Sequence, residues 1–416
     1  MKFLKRLIAV IALTSIYTLA GLISKLRFLR GPRRAGPILL IGTFHNPNWV
    51  WAHVEPIARC EAAEVYLVAD EPIEGIPNVN NVCAPRWLQK SITRAGAKFV
   101  WSLYIALKIR PSVCMGYHVF PAGVIALIAA TISGARASFQ VTAGELELEG
   151  GGWHAENALL VALQRESILA ERAVHFMTRQ FDLLVVRGNR AKDYCRKLGY
   201  KNAIELVTGS VVYPEEIPQE RDIDMLFIGR LAEYKRPDRL LEVLSKVTTE
   251  RPETNLVMIG EGPDLQALEN QAAELGISEN VSFLGQRSDV EQFQARSKTN
   301  VLTSRWEGVS IAMLEAMAWG VVPVVSDVGD LRDFVTPETG ALLHENDIDG
   351  FATAILSLLN NHNLWKEKSA QCRTMIRDRS SKQAVCARWQ HIFKELSTQD
   401  RDYSTSNSDS TSHGVK

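Results

Sequence analysis

Short apolar runs alternate with helical patterns along most of this chain, and the alternation occurs twice. The runs ILLIG (Ile38 to Gly42), VYLVAD (Val65 to Asp70), VCMGYH (Val113 to His118), ASFQVT (Ala137 to Thr142) and LLVVRG (Leu183 to Gly188) are rich in β-branched residues. Each is bounded by Gly, Pro or polar residues, so they read as buried strands. After His118, FPAGVIALIAATISGA is apolar on nearly every side and too short to span a bilayer, which predicts a helix packed on a sheet. A second set follows: MLFIG (Met225 to Gly229), LVMIG (Leu256 to Gly260), VSFLG (Val281 to Gly285), NVLTS (Asn300 to Ser304), VVPVVS (Val321 to Ser326) and ALL (Ala341 to Leu343). Helical patterns at Asp238 to Glu250, Asp264 to Leu275 and Ser310 to Trp319 separate them. Strands alternating with helices of this length predict two parallel, doubly wound α/β domains with a cleft between them and ligands at the carboxyl ends of the strands.

These patterns predict domains at residues 35–210 and 223–380, a Pro/Glu-rich linker at 211–222 and a final helix at 381–396, which could cross back to the first domain. Residues 397–416 are mostly Ser, Thr, Asp and Asn, a composition that predicts a disordered tail.

The first 34 residues break the pattern. Lys2, Lys5 and Arg6 precede seventeen uncharged residues, Leu7 to Ile23; Lys25, Arg27, Arg30, Arg33 and Arg34 follow, with no acid anywhere. As a helix the uncharged stretch is about 26 Å long, marginal for a ~30 Å hydrocarbon core. A cleavable signal would end in small residues rather than in more basic ones. Residues 1–34 therefore predict a membrane anchor, either spanning or lying in the interface. The basic bias after the apolar stretch puts the body of the chain on the cytoplasmic face. The first sheet strand begins only near Ile38, so the body is expected to survive deletion of this segment.

Elsewhere charge and composition are ordinary. Lys+Arg and Asp+Glu both total 47, which removes the basic excess of a nucleic-acid binder. Six scattered cysteines without paired spacing suit neither a disulfide framework nor a zinc site.

Candidate chemistry concentrates between Arg230 and Glu315. FIGRLAEYK places Arg230 and Lys235 just past a strand end, where two cations suit a pyrophosphate. An isolated pair at this spacing reads more readily as solvated loop cations. In SRWEGVSIAMLEAMAWG, Glu307 follows a strand, Gly308 admits close backbone approach and Ser310 is a helix N-cap candidate. Free N–H groups at that helix start would receive an anion, and Glu315 on the same helix could accept hydrogen bonds from vicinal hydroxyls. Two D-x-D tripeptides, Asp222-Ile-Asp224 and Asp347-Ile-Asp349, precede no plausible site and read as exposed.

The runs GRLAEYKRPDRLLEVL, VMIGEGPDLQALENQAAELGISENVSFLG, EGVSIAMLEAMAWGVVPVVSDVGD and GALL, in this order from Asp222 to Cys386, closely resemble the C-terminal domain of family 4 glycosyltransferases. The resemblance implies the GT-B fold, a nucleotide-sugar donor and retention of anomeric configuration. It implies that Arg230 and Lys235 bind the donor diphosphate, that Glu307 contacts the donor sugar and that Glu315, the second acid of an E-x7-E pair, binds the ribose. Gly229, Gly260, Gly262, Gly285, Gly308, Val309 and Ser310 would border the donor. No metal and no further cofactor are expected.

The N-terminal half resembles the family more loosely. IGTFHNPNWVWAHVEPIA resembles its first strand and loop, placing Gly42 near the diphosphate, and YHVFPAGVIALIAATISGA maps His118 to a sugar-contacting histidine. GELELEGGGW, with Glu147 before three glycines, resembles an active-site loop found in part of the family, which implies an acceptor or active-site loop at Glu147. Together with the anchor, the resemblance implies a lipid-linked or otherwise membrane-borne acceptor. Two alternatives share the architecture. A nucleotide-sugar 2-epimerase would not need the GRLAEYK and E-x7-E elements together, and a catalytically silent partner subunit would have lost one of Arg230, Lys235 or Glu307. Dinucleotide binding is disfavoured because no G-x-G-x-x-G lies between a strand and a helix.

Overall fold

Strands buried on both faces must be apolar at every position, and the first sheet shows how this works. Leu39 and Ile41 of β1 (Ile38–Ile41) join the core on one side, while Ile38 and Leu40 join the core on the other. The computed structural model describes residues 2–26, 36–44, 47–60, 64–153 and 157–411. Arg27, Arg30, Arg33 and Arg34 of the N-terminal basic cluster lie outside them, as do the last five residues of the expected tail.

The chain divides into two compact units, Met1–Thr208 with Val385–Lys416, and Gly209–Ala384. The first holds a seven-stranded parallel sheet in the order β3-β2-β1-β4-β5-β6-β7. Its strands are β1, β2 (Val65–Val68), β3 (Val79–Asn81), β4 (Val113–Tyr117), β5 (Arg136–Val141), β6 (Leu183–Val186) and β7 (Ala203–Leu206). The register pairs Leu39 with Tyr66 on one side and with Cys114 on the other. The second unit holds six parallel strands in the order β10-β9-β8-β11-β12-β13. These are β8 (Ile223–Ile228), β9 (Leu256–Ile259), β10 (Val281–Phe283), β11 (Ser297–Leu302), β12 (Val322–Ser326) and β13 (Ala341–Leu343). In each sheet the strand order reverses once, at β1/β4 and at β8/β11. Such switch points open a crevice at the carboxyl ends of the strands.

Three expectations need correction. The N-terminal helix Lys2–Ser24 is not a separate appendage: Leu13 and Tyr17 are fully buried in the first unit's core. Arg6 donates from Nε to the Leu163 carbonyl at 3.0 Å and from Nη2 to that of Glu166 at 3.1 Å. Tyr17 packs edge-on against Phe120, with ring centroids 6.2 Å apart. Further along, Gly21 faces the Phe176 ring so closely that an added Cβ would lie 2.5 Å from it. Deleting residues 1–34 would therefore strip apolar partners from the core.

The expected linker is likewise part of the second unit. Val211 is buried in its core, its N–H bonds to the Ser380 carbonyl at 2.8 Å, and Arg221 stacks over Trp365 at 5.2 Å. At the other end, the last helix runs Lys382–Thr411, through most of the expected disordered tail. The first helix breaker after Ser381 is Gly414, so nothing in the backbone chemistry stops the helix at Leu396. Trp389 and Ile392 of that helix are buried in the first unit.

Candidate functional site

The switch point of the second sheet assembles most of the predicted residues. After β8 the chain turns through a short 3₁₀ segment, Glu233–Lys235, before the helix Pro237–Glu250. The loop after β11 pins this turn. The Arg305 N–H donates to the Tyr234 carbonyl at 2.9 Å, and Thr303 Oγ1 donates to the Arg236 carbonyl at 2.7 Å. Lys235 is thereby brought to Glu307, Nζ to Oε1 at 2.5 Å, and the Ser304 hydroxyl donates to the same oxygen at 2.8 Å. Both side chains are largely buried, at 15% and 7% exposure, so the ion pair is shielded from water. Tyr234 and Trp306 stack beside it, centroids 5.8 Å apart and nearly parallel, with the Lys235 ammonium 5.5 Å from the Tyr234 ring. Arg230, exposed, is the second residue past β8.

Ser310 caps the helix Ile311–Ala318, its hydroxyl accepting from the Met313 N–H at 3.3 Å. The remaining N–H groups of the first turn are available to an anion, three residues after Glu307. Glu315 lies further along this helix. Burial pushes its carboxyl up to about 7, with Glu291 adding to the rise against a lowering hydrogen bond to Gln294.

Glycines let the loops touch backbone to backbone. A Cβ at Gly262 would sit 1.9 Å from the Leu231 carbonyl oxygen, locking the loop after β9 against the one after β8. Gly329, which no sequence pattern flagged, has φ +54° and would clash with the Glu307 carbonyl at 2.0 Å if it carried a side chain. Gly260, in turn, donates its N–H to the Gly285 carbonyl at 2.8 Å. Gly260, Gly262 and Gly285 thus shape the loops around the crevice.

The switch point of the first sheet carries a second constellation. Gly42 closes β1, and its carbonyl accepts from Lys98 Nζ at 3.0 Å. Lys98 is buried and also reaches Thr43 Oγ1 at 2.8 Å and Asp70 Oδ1 at 2.7 Å, tying the ends of β1 and β2 together. At the end of β4, His118 adopts φ +67° and ψ 154°, a region that costs a non-glycine residue about 1–3 kcal/mol. Its ring is half exposed and stacks on Trp49 at 5.9 Å. Nδ1 lies 2.7 Å from Thr142 Oγ1 and 3.6 Å from Glu147 Oε1.

Glu147 is buried, and the chain holds it with main-chain donors. The N–H of Val119 binds Oε1 at 2.6 Å, and those of Thr142 and Ala143 bind Oε2 at 2.7 and 3.2 Å. Burial alone would raise its pKa. The His118 imidazole, by its charge when protonated and its hydrogen bond, together with the Ala143 and Thr142 N–H groups, outweighs burial, and the carboxyl is held below its ordinary value. Glu147 is therefore an ionised anchor that orients His118. Beneath them, buried Arg187 donates to the Val207 carbonyl at 2.8 Å and to Gln140 Oε1, and burial lowers it to about 10. Burial first, then Arg187 and His118, hold His53 neutral.

Sequence reasoning missed Lys98, Arg187 and Gly329. Arg187 was visible as a cation closing the strand LLVVRG, whereas nothing local marked Lys98. The D-x-D tripeptides are occupied by structural contacts. Asp224 is buried, contrary to expectation, and pairs with Lys298 at 2.7 Å, because β8 and β11 are neighbours. Asp222 pairs with Arg296, Asp349 with Lys246, and Asp347 caps a helix by accepting from the Gly350 N–H at 2.9 Å.

Residues 214–379 match the family described as glycosyl transferases group 1. An uncharacterized glycosyltransferase of Haemophilus influenzae is 28% identical over 186 residues, 44% of this chain and 52% of that protein. An Escherichia coli UDP-Gal:alpha-D-GlcNAc-diphosphoundecaprenol alpha-1,3-galactosyltransferase is 29% identical over 153 residues, 36% of this chain and 39% of that one. The chain spans about half the length, or less, of the curated relatives it matches. Among solved structures, sucrose-phosphate synthase of Thermosynechococcus elongatus superposes with a TM-score of 0.68 at 16% identity, covering 87% of this chain and 100% of that one. Anabaena HepE in complex with UDP-glucose gives 0.67 at 15% identity, covering 86% and 100%. The fold is thus the α/β, two-domain GT-B fold expected from the sequence.

Proposed function

We propose that this chain, whose residues 214–379 match the group 1 glycosyltransferases, is a retaining, metal-independent glycosyltransferase. It would move a sugar from a nucleotide-sugar donor to a membrane-borne acceptor, a lipid-linked saccharide. The observation that carries this reading is the shielded Lys235–Glu307 pair, three residues before the capped helix N-terminus at Ser310, at the second sheet's switch point.

In this reading the donor diphosphate is received by Arg230, Lys235 and the N–H groups after Ser310. The Lys235 ammonium has three donors, so it can keep Glu307 and still bind phosphate. Glu307 contacts the donor sugar, and Glu315 receives the ribose hydroxyls. The acceptor hydroxyl attacks the anomeric carbon on the face from which the nucleoside diphosphate departs. The anomeric C–O bond to phosphate breaks, the glycosidic bond forms, and the hydroxyl proton ends on the departing phosphate. Positive charge at the phosphate stabilises the leaving group as it develops, which is the work a metal would otherwise do. His118, oriented by Glu147, is assigned to the transferred sugar.

The acceptor assignment draws on the E. coli relative, whose name specifies a diphosphoundecaprenol substrate, and on the apolar N-terminal helix. Basic residues at both ends of that helix favour the anionic cytoplasmic leaflet, which puts the catalytic body on the cytoplasmic side. The test is to incubate the purified chain with a panel of nucleotide sugars and membrane lipid extract. One donor should be consumed and one lipid should gain the mass of that sugar with retained configuration. Consumption of no donor, or an inverted product, would overturn the reading.

A further inference from the structure

The N-terminal helix carries two opposite stripes. Ala9, Leu13, Tyr17, Ala20 and Ser24 are buried against the first unit, at spacings of four, four, three and four. On the opposite side Leu4, Ile8, Ile11, Leu19, Leu22 and Leu26 are all exposed, with Ser15 the single polar break in the same repeat. Phe3 extends that surface at 79% exposure. A helix whose outer face is its most apolar surface is not finished by the fold it packs on.

We propose that this helix lies flat in the membrane–water interface, seated on the first unit by one face and on lipid by the other, and does not span the bilayer. This deepens the membrane attachment read above and rests on it. Spanning would pull Leu13 and Tyr17 out of the core and break the two Arg6 bonds to the Leu163 and Glu166 carbonyls. The same two bonds place the start of the neighbouring helix Ile168–Thr178 beside the N-terminal turns, and there Ile168 and Leu169 are exposed as well. The apolar surface thus continues onto the body of the protein, which a spanning helix would not need.

Charge favours lipid over a second copy of the chain. Lys5 and Lys25 are exposed at opposite ends of the stripe, and neither acid type occurs in the helix, so the rim complements anionic headgroups. A helix zipper would set its pairing with charges of both signs flanking the seam, and between Leu7 and Ile23 there is no charge at all.

The experiment uses the full chain and sealed vesicles of phosphatidylcholine with phosphatidylglycerol, read by flotation. The wild-type chain should float, and Ile11→Asp with Leu19→Asp should cut the floating fraction by about tenfold or more with an unchanged thermal transition. For geometry, Lys5→Cys and Lys25→Cys are made singly in a chain whose partly exposed Cys83 and Cys386 are replaced by Ser. A membrane-impermeant maleimide added outside should label both positions on vesicle-bound protein. Protection of one end only would show a spanning helix and overturn the proposal. Flotation unaffected by the Asp pair would place the lipid contact elsewhere. A wild-type chain that does not float but loses a dimer on the same substitutions would make the stripe a self-association seam. None of these readouts involves sugar transfer, so failure here and failure of the glycosyltransferase reading are separate results.

Discussion

Lys235→Ala perturbs two things at once, and the structure separates them. The ammonium is the only cation at hydrogen-bond distance from Glu307 among the described contacts, at 2.5 Å, and Glu307 is 7% exposed on its side chain. Removing it leaves a nearly buried carboxylate held by the Ser304 hydroxyl alone on that oxygen. A fully buried pair broken in this way costs about 3–5 kcal/mol. Residual exposure of Lys235 and the retained hydroxyl reduce this to about 2 kcal/mol, near the ordinary cost of an unsatisfied buried group. For a unit of this size that is a fall in the melting transition of roughly 4–8 °C. The catalytic loss is independent. A missing preorganised charge at a departing diphosphate lowers turnover by about 10²–10³. Glu307→Gln is the control, since it neutralises the orphaned carboxylate and should restore most of the melting loss when combined with Lys235→Ala. The decisive quantity is the double-mutant cycle in kcat with a fixed nucleotide-sugar donor. If Lys235 serves the diphosphate, Lys235→Ala should still cost about tenfold or more in the Glu307→Gln background. If it costs nothing there, Lys235 is merely the counterion of Glu307, and the diphosphate assignment fails.

Arg230→Ala should also lower turnover by about 10²-fold, and Arg230→Lys should not rescue it, because the planar fork is lost; steady-state kinetics decide. Chelation with EDTA should leave most activity intact, and complete loss restored by Mn²⁺ would contradict the charge bookkeeping proposed for the phosphate. Glu315 has its folded pKa raised from 4.5 to about 7, so the native state holds its proton more tightly than the unfolded chain. Its contribution to stability is therefore present below pH 4.5 and fades as pH rises to about 7, on the order of 3 kcal/mol; Glu315→Gln should flatten that slope in urea melts. Leu13→Ala in the N-terminal helix should cost about 2–5 kcal/mol, as a fully buried leucine does, and deletion of residues 1–34 should give an aggregating chain rather than a soluble one; circular-dichroism melts and gel filtration check both.

How much of this was legible in advance depended on whether the signal was local. Among the described residues, eleven of the thirteen strands are the apolar runs themselves. The two missed, Val79–Asn81 and Ala203–Leu206, are the outer strands of the first sheet, where one edge meets no neighbour and the apolar pattern thins. The Ser310 cap, the E-x7-E pair and the helix bounds around them were readable from spacing, because caps and turns are chemistry within four residues. By contrast Lys98 meets Gly42 across 56 positions, and Arg187 meets Gln140 across 47. The first meeting exists because the helix Arg94–Ile109 brings Lys98 to the end of β1, and the second because β5 and β6 are neighbours.

The sequence by itself determined the element types, the double α/β repeat and the donor-site motifs, since periodicity, glycine placement and strand-end cations are written in consecutive residues. Tertiary structure alone decided which of those residues act as one group. Strand order puts Lys235 against Glu307 and buries Asp224 under Lys298. It decided the N-terminal helix as well. Composition describes a helix apolar on both sides, and only packing selects Leu13 and Tyr17 for the core while leaving Ile11 and Leu19 outward. The physical reason is that hydrophobicity is a property of a residue, whereas burial is a property of what lies across from it.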